Sequence, residues 1–576
     1  MKPETRTRFS FDAYIAEPAI TTANNKTIEV CWCGVLLLSA GLINAPRLLG
    51  QPFASNDLLI HLRWAGEFSE LFYGGDPYPH WMYHANFGLG EPALLYYSPL
   101  FYYAVTLLSP LVGNVWRATT LVETGALWAT GVLCYAFLRR FFPPPTAILG
   151  AVIVQFAPIT FLVLNYINGV PFAVGFPLAL WATLRSLNPT PRRLIDLRLS
   201  VIVAALICTH LLTAYIMVAT LPFAVFASVV DAREIKSSLT RVVGWGCSVG
   251  IGLCLASFFL IPAVTSLSLI TPVVWVRDWL SLNAFTFPLI TAHFYGVRWF
   301  VFQWPVPLLL FASTMVTGIF LCRRRAALPE LRTVRSLFAL AVVGFLLSSE
   351  LAYPLWAWFA PMQIVQFPYR FHYVTTIGAL LSNSLVIAIM QREGRKPFSM
   401  LIAGGPAAAS FLFGVALLAK LATLDGQAIP GDADISALYG GLREYKLATR
   451  GPGDDAFRKA GGLEGECARK QITCRDLGIT GGVRSWEVRA TAPTELVLPL
   501  YAFPAWQGAI DGAVTELTLD TGSGLAAIKV STGLRRITVR WQALPSQVAG
   551  FAFSLLGIVM LVSITLVRRI MTTRFK

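Results

Sequence analysis

The sequence predicts a polytopic α-helical membrane protein that holds a small β-rich domain between its last two spans. Three observations predict it. Of 576 residues, 55% are hydrophobic and only 13% are charged, about half the ~25% charge of soluble chains. Apolar runs approaching the ~20 residues of a bilayer crossing recur along most of the chain. One late stretch, 421–546, breaks the pattern, and its apolar residues alternate with polar ones as in half-buried strands.

About twelve spans follow, near 28–49, 115–138, 146–164, 168–186, 197–211, 213–230, 241–264, 303–322, 333–350, 371–390, 398–420 and 547–567. The polar tail 1–27 has no signal-peptide pattern, and the first run has no small-residue cleavage site after it, so that run is retained as a span. The net charge of +15 sits mainly in short loops: Arg139-Arg140, Arg192-Arg193, 323–325, 392–396 and Arg568-Arg569. With twelve spans, all of these fall on the side of the N-terminus. That is positive-inside patterning, and it places both termini in the cytoplasm. It also removes the nucleic-acid reading that a basic chain invites.

Three segments then face outward. The first, 50–114, contains an apolar stretch at 94–112. A full span there would invert every later loop, so it reads as a re-entrant or surface-lying helix. The second, 265–302, is rich in aromatics. The third is the domain at 421–546, with 14 acidic and 14 basic residues, and residues 547–576 return the chain through the membrane. Strands are expected at 486–490, 495–500, 525–530 and 536–541. Gly508, Asp511-Gly512 and 522–524 read as turns, and 425–470 reads as loop-dominated. A small sandwich fits. Seven of nine cysteines lie in or beside apolar runs. Cys467 and Cys474 lie in the polar domain and can pair locally if it faces an oxidising compartment. A zinc site there lacks a second pair or a nearby histidine.

The residues that could carry chemistry concentrate after the first span. Asp57 lies near the outer surface, where an ionised carboxylate can take a proton from an attacking hydroxyl or hold a divalent cation. It can equally cap the helix that begins at Leu58. His61, four residues on, shares its helical face, and a solvated face is the bland alternative. Tyr78, His80 and Trp81 suit either an interfacial aromatic belt or a platform for sugar rings. Gly88, Gly90 and Pro92, beside Asn86 and Glu91, allow a tight turn close to a ligand, and Tyr97 opens a further aromatic run. His210 sits at the outward turn of a short helical hairpin. Gln366 and Arg370 sit at the outward mouth of the tenth span. There a cation runs against the positive-inside rule and suggests an anionic partner, whose oxygens a guanidinium grips as a fork. Within the apolar runs, Gln155 and Lys420 are the polar residues that stand out.

The motifs Asp57…His61…Tyr78-Pro79-His80-Trp81…Asn86-Phe87-Gly88-Leu89-Gly90…Pro92…Tyr96-Tyr97-Ser98-Pro99 together resemble bacterial membrane proteins called 6-pyruvoyl-tetrahydropterin synthase-related, a label unconnected with pterins. His210-Leu211-Leu212-Thr213 and Gln366-Phe367-Pro368-Tyr369-Arg370-Phe371 match two further motifs of the group. The tail 496–512 is similar to the outward β domain of YfhO-like proteins. The group in turn resembles the GT-C glycosyltransferases. The resemblance implies a GT-C-like architecture over 28–420 in a bacterial inner membrane, with a periplasmic β domain. It implies a polyprenyl-phosphate sugar donor and a glycan or glycolipid acceptor. It makes Asp57 the catalytic base and Arg370 a contact for the donor phosphate. His61, Tyr78, His80, Trp81, Asn86, Glu91, Tyr97, His210 and Gln366 would then line the substrate site. His80 departs from the family's usual arginine, which weakens an anion contact, and Tyr369 replaces a frequent tryptophan. The second acid found beside the first in some GT-C enzymes is absent, which leaves metal dependence open. The rival classes are a transporter or flippase for lipid-linked glycans, which needs polar residues deep in its spans, and a non-catalytic assembly factor.

Overall fold

The computed structural model describes residues 23–50, 58–158, 169–187, 195–229, 235–271, 305–323, 329–363, 365, 367–422 and 445–574. Its main helices are α1 (Ala23–Ile43), α2 (Leu58–Tyr73), α3 (Leu100–Val112), α4 (Val115–Leu138), α5 (Pro144–Gln155), α6 (Gly169–Ser186), α7 (Leu197–Thr209), α8 (Leu211–Val229), α9 (Ile235–Leu255), α10 (Ser257–Thr265), α11 (Pro305–Cys322), α12 (Pro329–Ser348), α13 (His372–Arg392), α14 (Pro397–Ala422), α15 (Gly453–Lys459), α16 (Gly462–Arg469) and α17 (Pro545–Arg574).

Each of the twelve expected runs contains a helix, so the chain is a multi-pass membrane protein. By length and apolar content, six helices among the described residues can cross a bilayer outright, and α9 with α10 makes a seventh if the pair is one span bent by 76°. Several others, α5 and α7 among them, are shorter apolar helices. The bend follows Leu255. Ser554 on α17 closes it, accepting from the Phe258 amide at 2.8 Å and donating to the Leu255 carbonyl at 3.1 Å. Residues 94–112 hold one such shorter apolar helix of 13 residues. They begin with a short turn at Ala93–Tyr96 and continue as α3, which Gly113 ends in the left-handed region.

The core of the bundle is the contact of α12 with α13. A Cβ at Gly378 would meet the Ala341 nitrogen and the Leu337 carbonyl at 2.6 Å, so glycine there sets how closely these helices approach. One end of the bundle gathers several basic residues. Arg185 pairs with Asp196, and Arg568 donates to the Ile195 carbonyl nearby.

The C-terminal domain is a two-sheet β structure. Its strands are β1 (Thr473–Thr480), β2 (Val483–Ala490), β3 (Thr494–Tyr501), β4 (Trp506–Ile510), β5 (Ala513–Thr515), β6 (Thr518–Asp520), β7 (Leu525–Val530) and β8 (Gly533–Trp541). They form one sheet ordered β1-β2-β8-β4-β5 and a second ordered β3-β7-β6. Trp486, Val488, Leu496, Leu498, Ile528 and Ile537 fill the space between them, fully buried. Alternation marked β2, β3, β7 and β8, but not β1, which is as long as β2 and β3, nor the short β5 and β6. It missed β4, where Gly508 pairs with Thr515 and Val539 instead of turning the chain. The stretch read as loop carries α15 and α16 among its described residues. Cys467 on α16 and Cys474 on β1 form a disulfide.

Candidate functional site

The residues singled out after the first span separate into two groups. Asp57 and Gln366 lie outside the described residues. One group gathers where α2, the 97–98 segment, the α7–α8 break and the Arg370 turn come together. Helix α2 begins at Leu58, directly after Asp57. One turn in, His61 is buried, with Nδ1 3.0 Å from the Tyr102 hydroxyl and its ring 5.2 Å from that of Tyr97. Tyr97 lies between His61 and His210, 6.3 Å from the latter. Ser98 fixes this arrangement, because its hydroxyl donates to the Ile207 carbonyl at 2.8 Å and accepts from the Leu211 amide at 3.0 Å. The break between α7 and α8 is thereby tied to the segment between α2 and α3.

His210 stands in that break, buried and extended in backbone conformation. Its Nδ1 accepts from the Thr213 amide at 3.2 Å and lies 2.7 Å from the Thr213 hydroxyl. Nδ1 is therefore an acceptor, and the neutral ring carries its proton on Nε2. Arg370 and His61 both lie within electrostatic reach of this ring. Arg370 is buried in a short 3-10 turn, donates from Nη1 to the Val365 carbonyl at 2.9 Å, and stacks its guanidinium 5.0 Å over Phe367. The Tyr373 hydroxyl donates to the Thr213 carbonyl at 3.0 Å, joining the Arg370 segment to the His210 turn. His61, Tyr97, His210 and Arg370 thus converge from four elements.

Tyr78, His80, Trp81, Asn86 and Glu91 form the second group, against the β domain. His80 stacks parallel on Trp541 of β8, 5.2 Å between centroids. Its Nε2 lies 2.8 Å from Nε2 of Gln547, whose Oε1 already accepts from Trp541 Nε1 at 3.1 Å and the Leu544 amide at 2.9 Å. With its oxygen so engaged, the Gln547 amide nitrogen must donate, and His80 must accept as a neutral ring. Burial agrees, holding the His80 pKa down to about 3. An arginine in this place could not accept that bond. The Tyr78 ring lies tilted against that of His80, 4.1 Å between centroids. Trp81 is buried among Phe503, Trp506 and Trp541, so protein covers the ring that was expected to face a sugar.

Asn86 and Phe87 take left-handed backbone angles, φ 50° and 59°. Asn86 is held there by its own amide, which donates to the Gly90 carbonyl at 3.0 Å and to Glu91 Oε2 at 3.4 Å, and by Arg450, which reaches its Oδ1 at 3.5 Å. Arg450 also pairs with Asp454 at 2.6 Å. Arg484 on β2 donates to the Gly88 carbonyl at 3.0 Å, and the Tyr501 amide to the Leu89 carbonyl at 3.0 Å. The tight turn holds a protein domain.

Other residues surround these. Trp64 and Tyr102 complete the cage around His61, and Tyr445 packs on Trp64. Glu123, inside α4, is fully buried and pairs with Arg47 beyond the end of α1, while Asn44 donates to Thr124 at 3.2 Å beside them. A carboxylate within a span was the available signal. Glu67, buried on α2, accepts from the His84 amide at 2.9 Å, and its carboxylate raises the pKa of the His84 ring. Among the described residues no three His, Cys, Asp or Glu side chains are placed to hold a metal ion.

No protein-family model and no curated protein matches the chain. Similar solved structures include the arabinofuranosyltransferase AftD from Mycobacteria (14% identity, TM-score 0.39, 70% of this chain and 27% of that one). The apo Archaeoglobus fulgidus oligosaccharyltransferase is another (14% identity, TM-score 0.38, 70% of this chain and 57% of that one). ArnT from Cupriavidus metallidurans bound to undecaprenyl phosphate is a third (12% identity, TM-score 0.27, 69% of this chain and 89% of that one). The chain spans about a quarter of the first and somewhat over half of the second. At these scores the likeness is partial, and the functional reading rests on the residues described above.

Proposed function

We propose that this protein is an inverting membrane glycosyltransferase working at the outer face of a bacterial inner membrane. A polyprenyl-phosphate sugar enters from the bilayer, and Arg370 grips its phosphate. An acceptor hydroxyl on a glycan or glycolipid attacks the anomeric carbon, and the carbon–oxygen bond to phosphate breaks. Polyprenyl phosphate leaves, and Asp57 takes the hydroxyl proton. His61, Tyr97 and His210 shape the space between base and phosphate site. Tyr78, His80, Trp81, Asn86 and Glu91 join the first loop to the β domain, which covers the acceptor side.

One observation supports this reading: His61, in the first turn of α2, lies against Tyr97, Tyr97 lies against His210, and Arg370 is within electrostatic reach of the His210 ring. The flippase alternative is less favoured, because buried polar groups in the spans hold helices together. Gln155 Nε2 donates to the Leu36 and Leu127 carbonyls at 3.2 and 3.0 Å, and Glu123 is paired with Arg47. The test is Asp57→Asn in a cell whose surface glycan depends on this protein. Loss of the modification at unchanged protein level is expected, and full modification would overturn the assignment.

A further inference from the structure

We propose that the outer face of the five-stranded sheet binds an acidic glycan chain. Strand register puts the relevant side chains on one surface. Arg475 on β1 lies opposite Glu487 on β2, Glu487 opposite Arg536 on β8, Arg489 opposite Leu534, and Arg540 opposite Gln507 on β4. Directly opposed residues in antiparallel strands share a face, as do alternate residues along one strand. Arg475, Arg489, Arg536 and Arg540 therefore stand together with a single carboxylate among them, and all four are exposed.

Glu487 offsets part of this charge, and no other carboxylate stands among the four arginines. The nearest acid at the β4–β5 turn, Asp511, pairs with Arg535 and accepts only the backbone amide of Arg536, at 2.8 Å. Arg540 donates to the neutral Gln507 Oε1 at 2.9 Å. Among the described residues, Arg475, Arg489 and Arg536 form no ion pair. The domain as a whole is balanced, with 14 acidic and 14 basic residues over 421–546, so the charge is segregated onto this face. The outer face of the other sheet differs, with Lys529 directly opposite Glu495.

Strands ~4.8 Å apart and ~3.4 Å per residue give this patch a width of about three strands and a length of ~13 Å from Arg536 to Arg540. Four forked guanidiniums at that spacing suit carboxylates or phosphates repeated along a chain. Gln507 and Thr538 between them offer hydrogen bonds to hydroxyls. Strand β8 runs from this patch to Trp541, on which His80 of the first loop stacks. The strand thereby links the patch to the first loop, with Trp541 on the opposite face of the sheet. A lipid surface would also attract the charge, but aromatic anchors, which mark interfacial elements, are missing from this face. The proposal rests on the reading of the β domain as the acceptor side, and it names the acceptor class as an anionic polysaccharide.

The test uses the full chain in phosphatidylcholine nanodiscs, with polygalacturonate as probe and dextran as neutral control, and no donor present. Wild type should bind polygalacturonate and not dextran, and binding should weaken as salt shortens the electrostatic range. Arg489→Ser with Arg536→Ser should weaken it by about ten-fold or more, since each substitution removes charge-assisted bonds between a guanidinium and a carboxylate. Lys529→Ser on the other sheet should leave it unchanged. Equal affinity of wild type and the double variant would overturn the proposal. So would a double variant that keeps polygalacturonate binding and loses only binding to phosphatidylglycerol vesicles. Because no transfer is measured, either failure leaves the Asp57 reading to its own test.

Discussion

Replacing Gln547 by methionine isolates the contact that joins the loop after α2, the β domain and the last helix. Gln547 is buried and makes three hydrogen bonds: it accepts from Trp541 Nε1 and the Leu544 amide, and donates to His80 Nε2. Methionine keeps the volume and makes none of them. Each polar group left buried without a partner costs about 1–3 kcal/mol. Partial relaxation of His80 toward water argues for the lower end, and about 2–4 kcal/mol in all is expected. Local opening of the contact should then become about 30- to 1000-fold more frequent. Native-state hydrogen exchange of amides in 78–82 and 541–548 reads this directly. The same contact predicts a pH dependence. His80 is held neutral, with a pKa near 3 against an ordinary 6.5. Its contribution is complete above the unfolded value and is lost as pH falls from about 6.5 toward about 3. The opening equilibrium of the wild type, taken from exchange after correction for the base-catalysed intrinsic rate, should therefore rise between about pH 7 and about pH 5, and Gln547→Met should flatten that response. Unchanged exchange at neutral pH, or an undiminished acid response in the variant, would refute the reasoning.

Three further outcomes follow. Gly90→Ala places a Cβ 2.0 Å from Trp81 Nε1 at a φ of 85°. It should cost about 1–2 kcal/mol in backbone strain alone, with added loss from displacing Trp81, seen as a lower melting temperature and freer proteolysis of the β domain. Glu123→Gln or Arg47→Met, each leaving a buried partner, should destabilise the detergent-solubilised protein by about 3–5 kcal/mol, whereas Arg47→Met with Glu123→Leu should recover much of that in a double-mutant cycle. Reducing the Cys467–Cys474 disulfide, which closes a short loop, should cost about 2–3 kcal/mol, and thermal unfolding of the β domain with and without reductant measures it.

Much of the fold was legible because its signals are local. Apolar runs and arginine placement marked the helices, and alternation marked β2, β3, β7 and β8. What escaped depends on partners distant in sequence. Gly508 looks like a turn residue, but a Cβ there would meet the Leu517 side chain at 2.9 Å, so β4 needs glycine as a paired strand residue. Residues 94–112 were separated from a span only by the charge pattern of later loops. For the site, the sequence named His61, Tyr97, His210 and Arg370 individually, and their convergence needed Ser98 and Tyr373 to bind the elements together. It could not divide the first-loop motif into a half near the spans and a half against the β domain. Tyr78, His80 and Trp81 are the residue types that would suit either, and Trp506, Trp541 and Gln547, more than 400 positions later, decide where they lie.

The central claim is that the outward site transfers a sugar from a lipid phosphate using Asp57. Release of polyprenyl phosphate tests it most directly, measured with purified protein, a polyprenyl-phosphate sugar and an acidic-glycan acceptor. The account predicts release by the wild type that depends on acceptor, is lost in Asp57→Asn, and is strongly reduced in Arg370→Ala. Equal release by wild type and Asp57→Asn, or movement of the intact lipid-linked sugar across the bilayer without release, would contradict it.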